Sequence, residues 1–317
     1  MIYHSVFAQK MPSDYFEEAS RYFENDNYDQ ALSGYQYIVD NCTKSELYPK
    51  AYYNVGFIYY TQRAFEKAVP IFESILESNF NEKENSGGGI MEDPYTNYKH
   101  RASEFLSAIY YEKEMYDVAL QYLTLSDTAY PYLHFCGNEY ASNNIHTALK
   151  YAEIYKKLNQ PDKAIEALLP TVFITLADNS KVIGELKILL SNKKNLKKEL
   201  ELSLSKIYSK KISEDDDSFT NFYFKFLGAE IVVPYGYEDN NNFEKDKAIK
   251  EIMQTDFYKM ISKLWRRRKT TFWKALETVL FCNYVATSSA IGDTTCVIPV
   301  LNDKWWVLAK RKSGYIY

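Results

Sequence analysis

The sequence predicts an all-α fold: a superhelix of stacked helix-turn-helix repeats, then a small, mostly helical C-terminal extension ending in a candidate β-hairpin. Three recurrences, all in phase, carry the prediction. A small residue stands 12 residues before an alanine four times, as Ala19 and Ala31, Gly56 and Ala68, Ser107 and Ala119, and Ala152 and Ala164. A tyrosine lies nine residues before each alanine (Tyr22, Tyr59, Tyr110, Tyr155), and a large apolar or aromatic residue lies four after (Tyr35, Phe72, Leu123, Leu168). An acid lies two before it (Asp29, Glu66, Asp117, Asp162).

Each position has a physical reason. Two antiparallel helices need a small residue where their backbones approach, and larger residues one turn away fill the space beside that contact. The acid falls in the first turn of the second helix, where the helix dipole favours negative charge. With this spacing, residues 12–178 resemble the tetratricopeptide repeat family, whose unit is a helix-turn-helix of about 34 residues. The resemblance implies an α–α superhelix whose first helices line a concave groove, and a groove that holds a peptide or a partner's helix.

Taken in order, residues 1–11 precede the array. Ser5 to Gln9 has the apolar, small-x-small character of the end of a secretory signal, but no basic stretch precedes it and the apolar run is short. Two readings stay open. A signal-peptide remnant puts the protein in a periplasm; a plain leader leaves it in the cytoplasm. The array is expected over 12–212, with repeats near 12–45, 49–80, 98–131 and 144–178. Ser13 is the expected N-cap of the first helix, and Asn25–Asp26–Asn27 the first turn. The polar run from Asn81 to Gly89 reads as a flexible insert. A phosphate loop would need a preceding strand and a following Gly-Lys-Ser/Thr. A leucine-rich pair over 181–212 lacks the signature and reads as a degenerate repeat or cap.

Residues 213–264 read as a helical extension. Glu214–Asp217 is a solvated linker. Phe219, Phe222, Tyr223, Phe226 and Leu227 recur at helical spacing and Gly228 closes them. Ile231–Val233 is a short extended piece, and 243–264 forms one strong helix. Residues 265–317 change character and hold all four tryptophans. The chain is −4 overall, yet residues 263–317 carry ten cationic residues against three acids, so that end is +7 and the rest −11. Cys296–Leu301 and Lys304–Leu308 flank the turn-like Asn302–Asp303 and suggest a hairpin, with Pro299 restricting the first strand to an edge. An appended small module and a shifted reading frame both account for this end, which resembles no family.

Nothing in the chain points to catalysis. His4, His100, His134 and His146 show no metal-binding spacing, and there is no nucleophile elbow, dinucleotide fingerprint or zinc ligand set. His134–Phe135–Cys136 puts a thiol two residues from an imidazole, a spacing that does not by itself make a nucleophile. Four scattered cysteines are too few for a disulfide scaffold and read as buried thiols. No run of 18 apolar residues is present. The expectation is a non-enzymatic chain with no cofactor and no metal.

Function must then be read from surface. The resemblance places Phe16, Phe23, Tyr53, Phe57, Tyr60, Glu104 and Tyr111 in the groove. Aromatic residues of this kind anchor interfaces, and their place at the early lining positions speaks against a Lys/Arg carboxylate clamp. The competing reading is that these rings pack against the neighbouring repeat. The expected function is a scaffold or adaptor that binds a protein partner. The alternative is a tether to an anionic surface, lipid or nucleic acid, through Arg266, Arg267, Arg268 and Lys269. Tyr28-Asp29-Gln30-Ala31-Leu32 also resembles, in style, repeats of bacterial envelope-assembly proteins. Partner identity and oligomeric state lie beyond the sequence.

Overall fold

The structure is a computed structural model of the 317-residue chain. It describes residues 10–85, 93–211, 220–233, 245–264, 295–300 and 304–310, without the side chains of Lys211, Thr220 and the last two segments. The chain divides after Asp178 into two compact units.

In the first unit, eight helices form four consecutive pairs among the described residues. They are α1 (Pro12–Glu24) with α2 (Tyr28–Asn41), α3 (Tyr48–Thr61) with α4 (Phe65–Glu77), α5 (Tyr98–Glu112) with α6 (Tyr116–Thr128), and α7 (Gly137–Lys157) with α8 (Pro161–Leu168). The phase of the sequence pattern explains the pairing. Ala31, Ala68, Ala119 and Ala164 are all fully buried, as are Phe72, Leu123 and Leu168 four residues on. Burying a side chain such as Phe72 contributes roughly 1.5–3 kcal/mol. At Ser107 the small residue also bonds across the pair: its hydroxyl donates to the Ala119 carbonyl at 2.8 Å. A Cβ on Gly56 would stand 2.9 Å from a methyl of Ile71. Gly34 has the same role without having been singled out by the pattern: a Cβ there would lie 2.8 Å from that of Ala19 and 3.1 Å from the Tyr15 carbonyl.

The turn inside each pair is the same turn. The carbonyls of Tyr22, Tyr59, Tyr110 and Tyr155 accept from the amides of Asn27, Ala64, Met115 and Gln160 at 2.9, 2.8, 2.9 and 2.8 Å. The residue before each of these donors is left-handed: Asp26, Arg63, Glu114 and Asn159 have φ of 57°, 58°, 59° and 56°. This is the Schellman closure, which satisfies the last carbonyls of the first helix. The recurring tyrosines therefore also mark where the first helix closes.

The segment between α4 and α5 is more ordered than a flexible insert over its described part. The Thr96 and Asn97 amides donate to the Glu84 and Glu82 carbonyls at 3.0 and 3.1 Å. The Glu82 carboxylate accepts from the Lys99 amide at 3.0 Å and so caps the start of α5. Burial raises the pKa of Glu82, while the Lys99 amide works against that rise. The Asn97 side chain bonds the Leu133 carbonyl and amide at 3.0 and 2.9 Å, tying this segment to the connection before α7. Gly87–Gly89 lie outside the described residues.

The second unit opens with α9 (Ser180–Leu189) and α10 (Leu196–Leu204), which bury Val182, Leu186, Leu196, Leu200 and Leu204. Strands β1 (Tyr208–Lys211), β2 (Thr220–Phe226) and β3 (Ala229–Val233) then form an antiparallel sheet in that order. The helical reading of the aromatic run is thus corrected over Phe222–Leu227; Phe219 lies outside the described residues. Phe222, Phe224 and Phe226 alternate inward and are buried, which is the period of a strand. Leu227 and Gly228 form a two-residue turn with φ of 49° and 89°, and Phe226 faces Ala229 across it. Gly228 closes a hairpin, not a helix. The single helix expected over 243–264 is divided into α11 (Lys245–Gln254) and a second helix, α12, over 256–264. At the break, Thr255 accepts from the Tyr258 amide at 3.3 Å and donates to the Ile252 carbonyl at 2.6 Å. Phe226 meets Phe257 edge-on at 6.2 Å, and the Tyr258 hydroxyl reaches Glu201 of α10 at 3.0 Å.

The last described residues form an antiparallel pair, β4 (Thr295–Val300) and β5 (Lys304–Lys310). Its register shifts between Cys296 and Val297, and Pro299 faces Trp305. A two-stranded ribbon has a free edge along each strand, which is where a proline is tolerated.

Candidate functional site

An open groove of about 800 Å³ crosses the first helices of all four pairs. Phe23 of α1, Tyr53, Asn54 and Phe57 of α3, and Phe105 of α5 line one part of it. His100, Arg101 and Glu104 of α5 and Glu139, Ser142, Asn143 and His146 of α7 line the rest. Asp93 and Tyr132 enter from the connections before α5 and α7. Every helical residue in this lining belongs to a first helix. The reason is local. The small residue Gly56 faces the second helix of its own pair, so Phe57, the next residue, points roughly 100° away from that contact. Phe23, one turn beyond Ala19, stays on the near side and reaches the groove from its edge while also meeting Tyr28 of α2 at 5.7 Å.

The aromatic residues have a double role. Phe23 meets Phe57 at 5.8 Å, Phe57 meets Phe105 at 5.4 Å, and Phe105 stacks on Phe72 at 5.1 Å. Phe23, Phe57 and Phe105 join neighbouring repeats while lining the cavity, and Phe72 is buried behind them.

The polar part is held by two ionic clusters. Arg101 pairs with Asp93, which also accepts from the Tyr132 hydroxyl, and Arg101 hydrogen-bonds Tyr53. Burial pulls the Arg101 pKa down, but Tyr53 and Asp93 outweigh it and hold it above its ordinary value. Burial pushes the Tyr53 phenol up against the opposing pull of Arg101. Tyr132 is pushed up by burial and then by its bond to Asp93. In the second cluster Glu104 meets Lys150 at 2.8 Å and His100 Nε2 at 3.7 Å. His100 Nδ1 faces the carbonyls of Ser126 and Tyr130 at 3.0 and 2.9 Å. Both are acceptors, so Nδ1 carries the proton. Burial would raise the Glu104 pKa; Lys150, and then His100 and His146, outweigh it and hold it below the ordinary carboxylate value.

Glu104 also opens onto a smaller cavity of about 290 Å³ between α5 and α7, lined by Ser107, Ala108, Tyr111, Glu112, Lys150, Glu153 and Ile154. There the Tyr111 hydroxyl donates to Glu153 at 2.6 Å. Burial and this bond both push the Tyr111 phenol up.

Of the residues expected in the groove, Phe23, Tyr53, Phe57 and Glu104 line the larger cavity and Tyr111 lines the smaller. Tyr60 packs on Phe105 at 4.6 Å and Phe65 at 6.1 Å. Phe16 packs edge-on against Tyr35 at 5.2 Å. Arg266, Arg267, Arg268 and Lys269 lie outside the described residues. Sequence reasoning missed Glu139, Ser142, Asn143 and His146 because α7 starts at Gly137 rather than near Asn144. It missed Asp93 and Tyr132 because repeat spacing does not index the connections. Phe105, two residues before Ser107, was legible as an aromatic residue but was not assigned a place.

His134 and Cys136 form no thiol–imidazole pair. The Cys136 amide donates to His134 Nδ1 at 2.9 Å, so the ring holds the backbone that enters α7. Cys42 and Cys136 are free thiols. Among the described residues no group of three or more His, Cys, Asp or Glu could hold a metal, and no helix is long and apolar enough to cross a membrane.

No protein-family model matches the chain, and no curated protein matches it. Among solved structures it is similar to MamA, residue 41 to the end, from Desulfovibrio magneticus RS-1. The identity is 17%, the TM-score is 0.42, and 60% of this chain and 89% of that one are covered. A likeness at that level carries no weight for function, and the paired helices rest on their own geometry.

Proposed function

We propose that residues 12–178 serve as a non-enzymatic protein-interaction scaffold that takes a peptide or helix of a partner protein into the groove across α1, α3, α5 and α7. One observation carries the reading: a cavity of about 800 Å³ whose helical lining comes from first helices alone. Its walls suit a segment of several side chains, with rings on one side and fixed polar groups on the other. The ion pairs Arg101–Asp93 and Lys150–Glu104 fix those polar groups, so little side-chain freedom is lost on binding.

The test is capture of a protein partner by the full chain at high salt, compared with two variants. Tyr53→Ala with Phe57→Ala removes part of the ring wall. Ser142→Tyr adds bulk at an exposed groove position and removes no packing ring. Loss of the partner in both variants, with an unchanged circular dichroism spectrum for Ser142→Tyr, is the expected result. Undiminished capture by Ser142→Tyr would place binding elsewhere.

A further inference from the structure

The charges of the groove narrow the kind of segment it accepts. The two cavities meet at Glu104, and across both, five carboxylates stand against two cations among the lining residues: Asp93, Glu104, Glu112, Glu139 and Glu153 against Arg101 and Lys150. Both cations are already engaged, Arg101 with Asp93 and Lys150 with Glu104. Glu112 is met from outside by Arg63. That leaves two exposed carboxylates that the groove's own cations do not meet. Glu153 accepts from Tyr111, a neutral phenol, and Glu139 stands on the first turn of α7. A partner carboxylate would enter beside two acids that no groove cation neutralises, Glu139 having only the dipole of α7 and Glu153 only a phenol. A guanidinium or ammonium would gain charge-assisted hydrogen bonds from Glu139 and Glu153, and could lie over the ring faces of Phe57 or Phe105. The ring wall asks for apolar side chains in the same segment.

Resting on the reading that the groove is the binding site, we infer that its occupant is a cationic segment of another protein, with lysine or arginine interspersed with aromatic or branched apolar residues. Charge complementarity of this kind sets partner choice more than raw affinity.

The experiment is selection of random-sequence peptides on the immobilised full chain, followed by solution binding of the selected peptides. The expected peptides are rich in lysine or arginine and in aromatic residues, and depleted in acids. Their binding is lost in Ser142→Tyr, weakens with salt, and falls roughly three- to tenfold in Glu139→Gln with Glu153→Gln. Both glutamates are exposed, so a thermal melt should show that variant folded as the parent. Acid-rich peptides lost in Ser142→Tyr would overturn the charge inference and leave the groove reading standing. So would cationic peptides indifferent to the two glutamines. If no selected peptide responds to Ser142→Tyr, both readings fall.

Discussion

The two units bury their cores with different periods, and only one of the periods repeats. In residues 12–168 each pair places a small residue at the helix contact and a large one four positions beyond its alanine partner, so Tyr35, Phe72, Leu123 and Leu168 all go inside. In the second unit the aromatic run from Phe219 to Leu227 occurs once. Phe222, Tyr223 and Phe226 fit a helix, while Phe222, Phe224 and Phe226 fit a strand, and the strand is what forms. Repetition removes such ambiguity: a period seen four times in phase admits one reading, whereas a nine-residue aromatic run admits two.

Core truncation gives the largest effects. Phe72→Ala in the first unit and Phe224→Ala in the second each remove a fully buried ring and should cost about 3–5 kcal/mol. Denaturant titration of the full chain reads both. A cost at Phe224 below about 1 kcal/mol would mean the strand's inward face is not a core, and the contrast of periods would fail. Gly34→Ala comes next, at about 1–3 kcal/mol of destabilisation, because its Cβ would strike the Ala19 Cβ and the Tyr15 carbonyl, and a backbone oxygen cannot swing aside. A neutral result in a thermal melt would show that α1 and α2 are not packed at this distance.

Two smaller effects sharpen what the sequence left unread. Lys150→Met should cost about 1 kcal/mol at pH 7 by stripping Glu104 of its counter-charge. The sign of its pH dependence follows from the depressed Glu104 pKa. That stabilisation is complete above the unfolded carboxyl value of about 4.3 and is lost as pH falls through the lower folded value, so wild type and variant should converge only once pH has fallen below that folded value. Glu114→Gly should stabilise the chain by about 1 kcal/mol, since glycine carries no penalty at φ of 59°. A lower melting temperature would contradict the turn described for the third repeat.

Legibility follows the same divide. The positions Ala31, Ala68, Ala119 and Ala164 could be read because each serves the same contact. Of the Schellman turns only the first was legible, at Asn25–Asp26–Asn27, because Asp26, Arg63, Glu114 and Asn159 share a conformation but no residue type, and Arg63 and Glu114 are not residues that favour positive φ. In the groove, Phe23, Tyr53 and Phe57 were legible from their offset to the small residues. Arg101 and its partners Asp93 and Tyr132 were not, since the ionic cluster is assembled from a helix and two connections that the repeat does not encode. The hairpin Phe226–Ala229 had a local signal in Gly228, but a glycine after an aromatic run serves a helix end equally well.

Hydrogen exchange of the full chain, with and without a saturating peptide from the selection, tests the central claim most directly. Added protection is expected over Tyr48–Thr61, Tyr98–Glu112 and the first half of Gly137–Lys157, which with the end of Pro12–Glu24 line the groove, with little change over Tyr28–Asn41, Phe65–Glu77 and Tyr116–Thr128. Protection concentrated on those second helices, or only beyond Asp178, would contradict it.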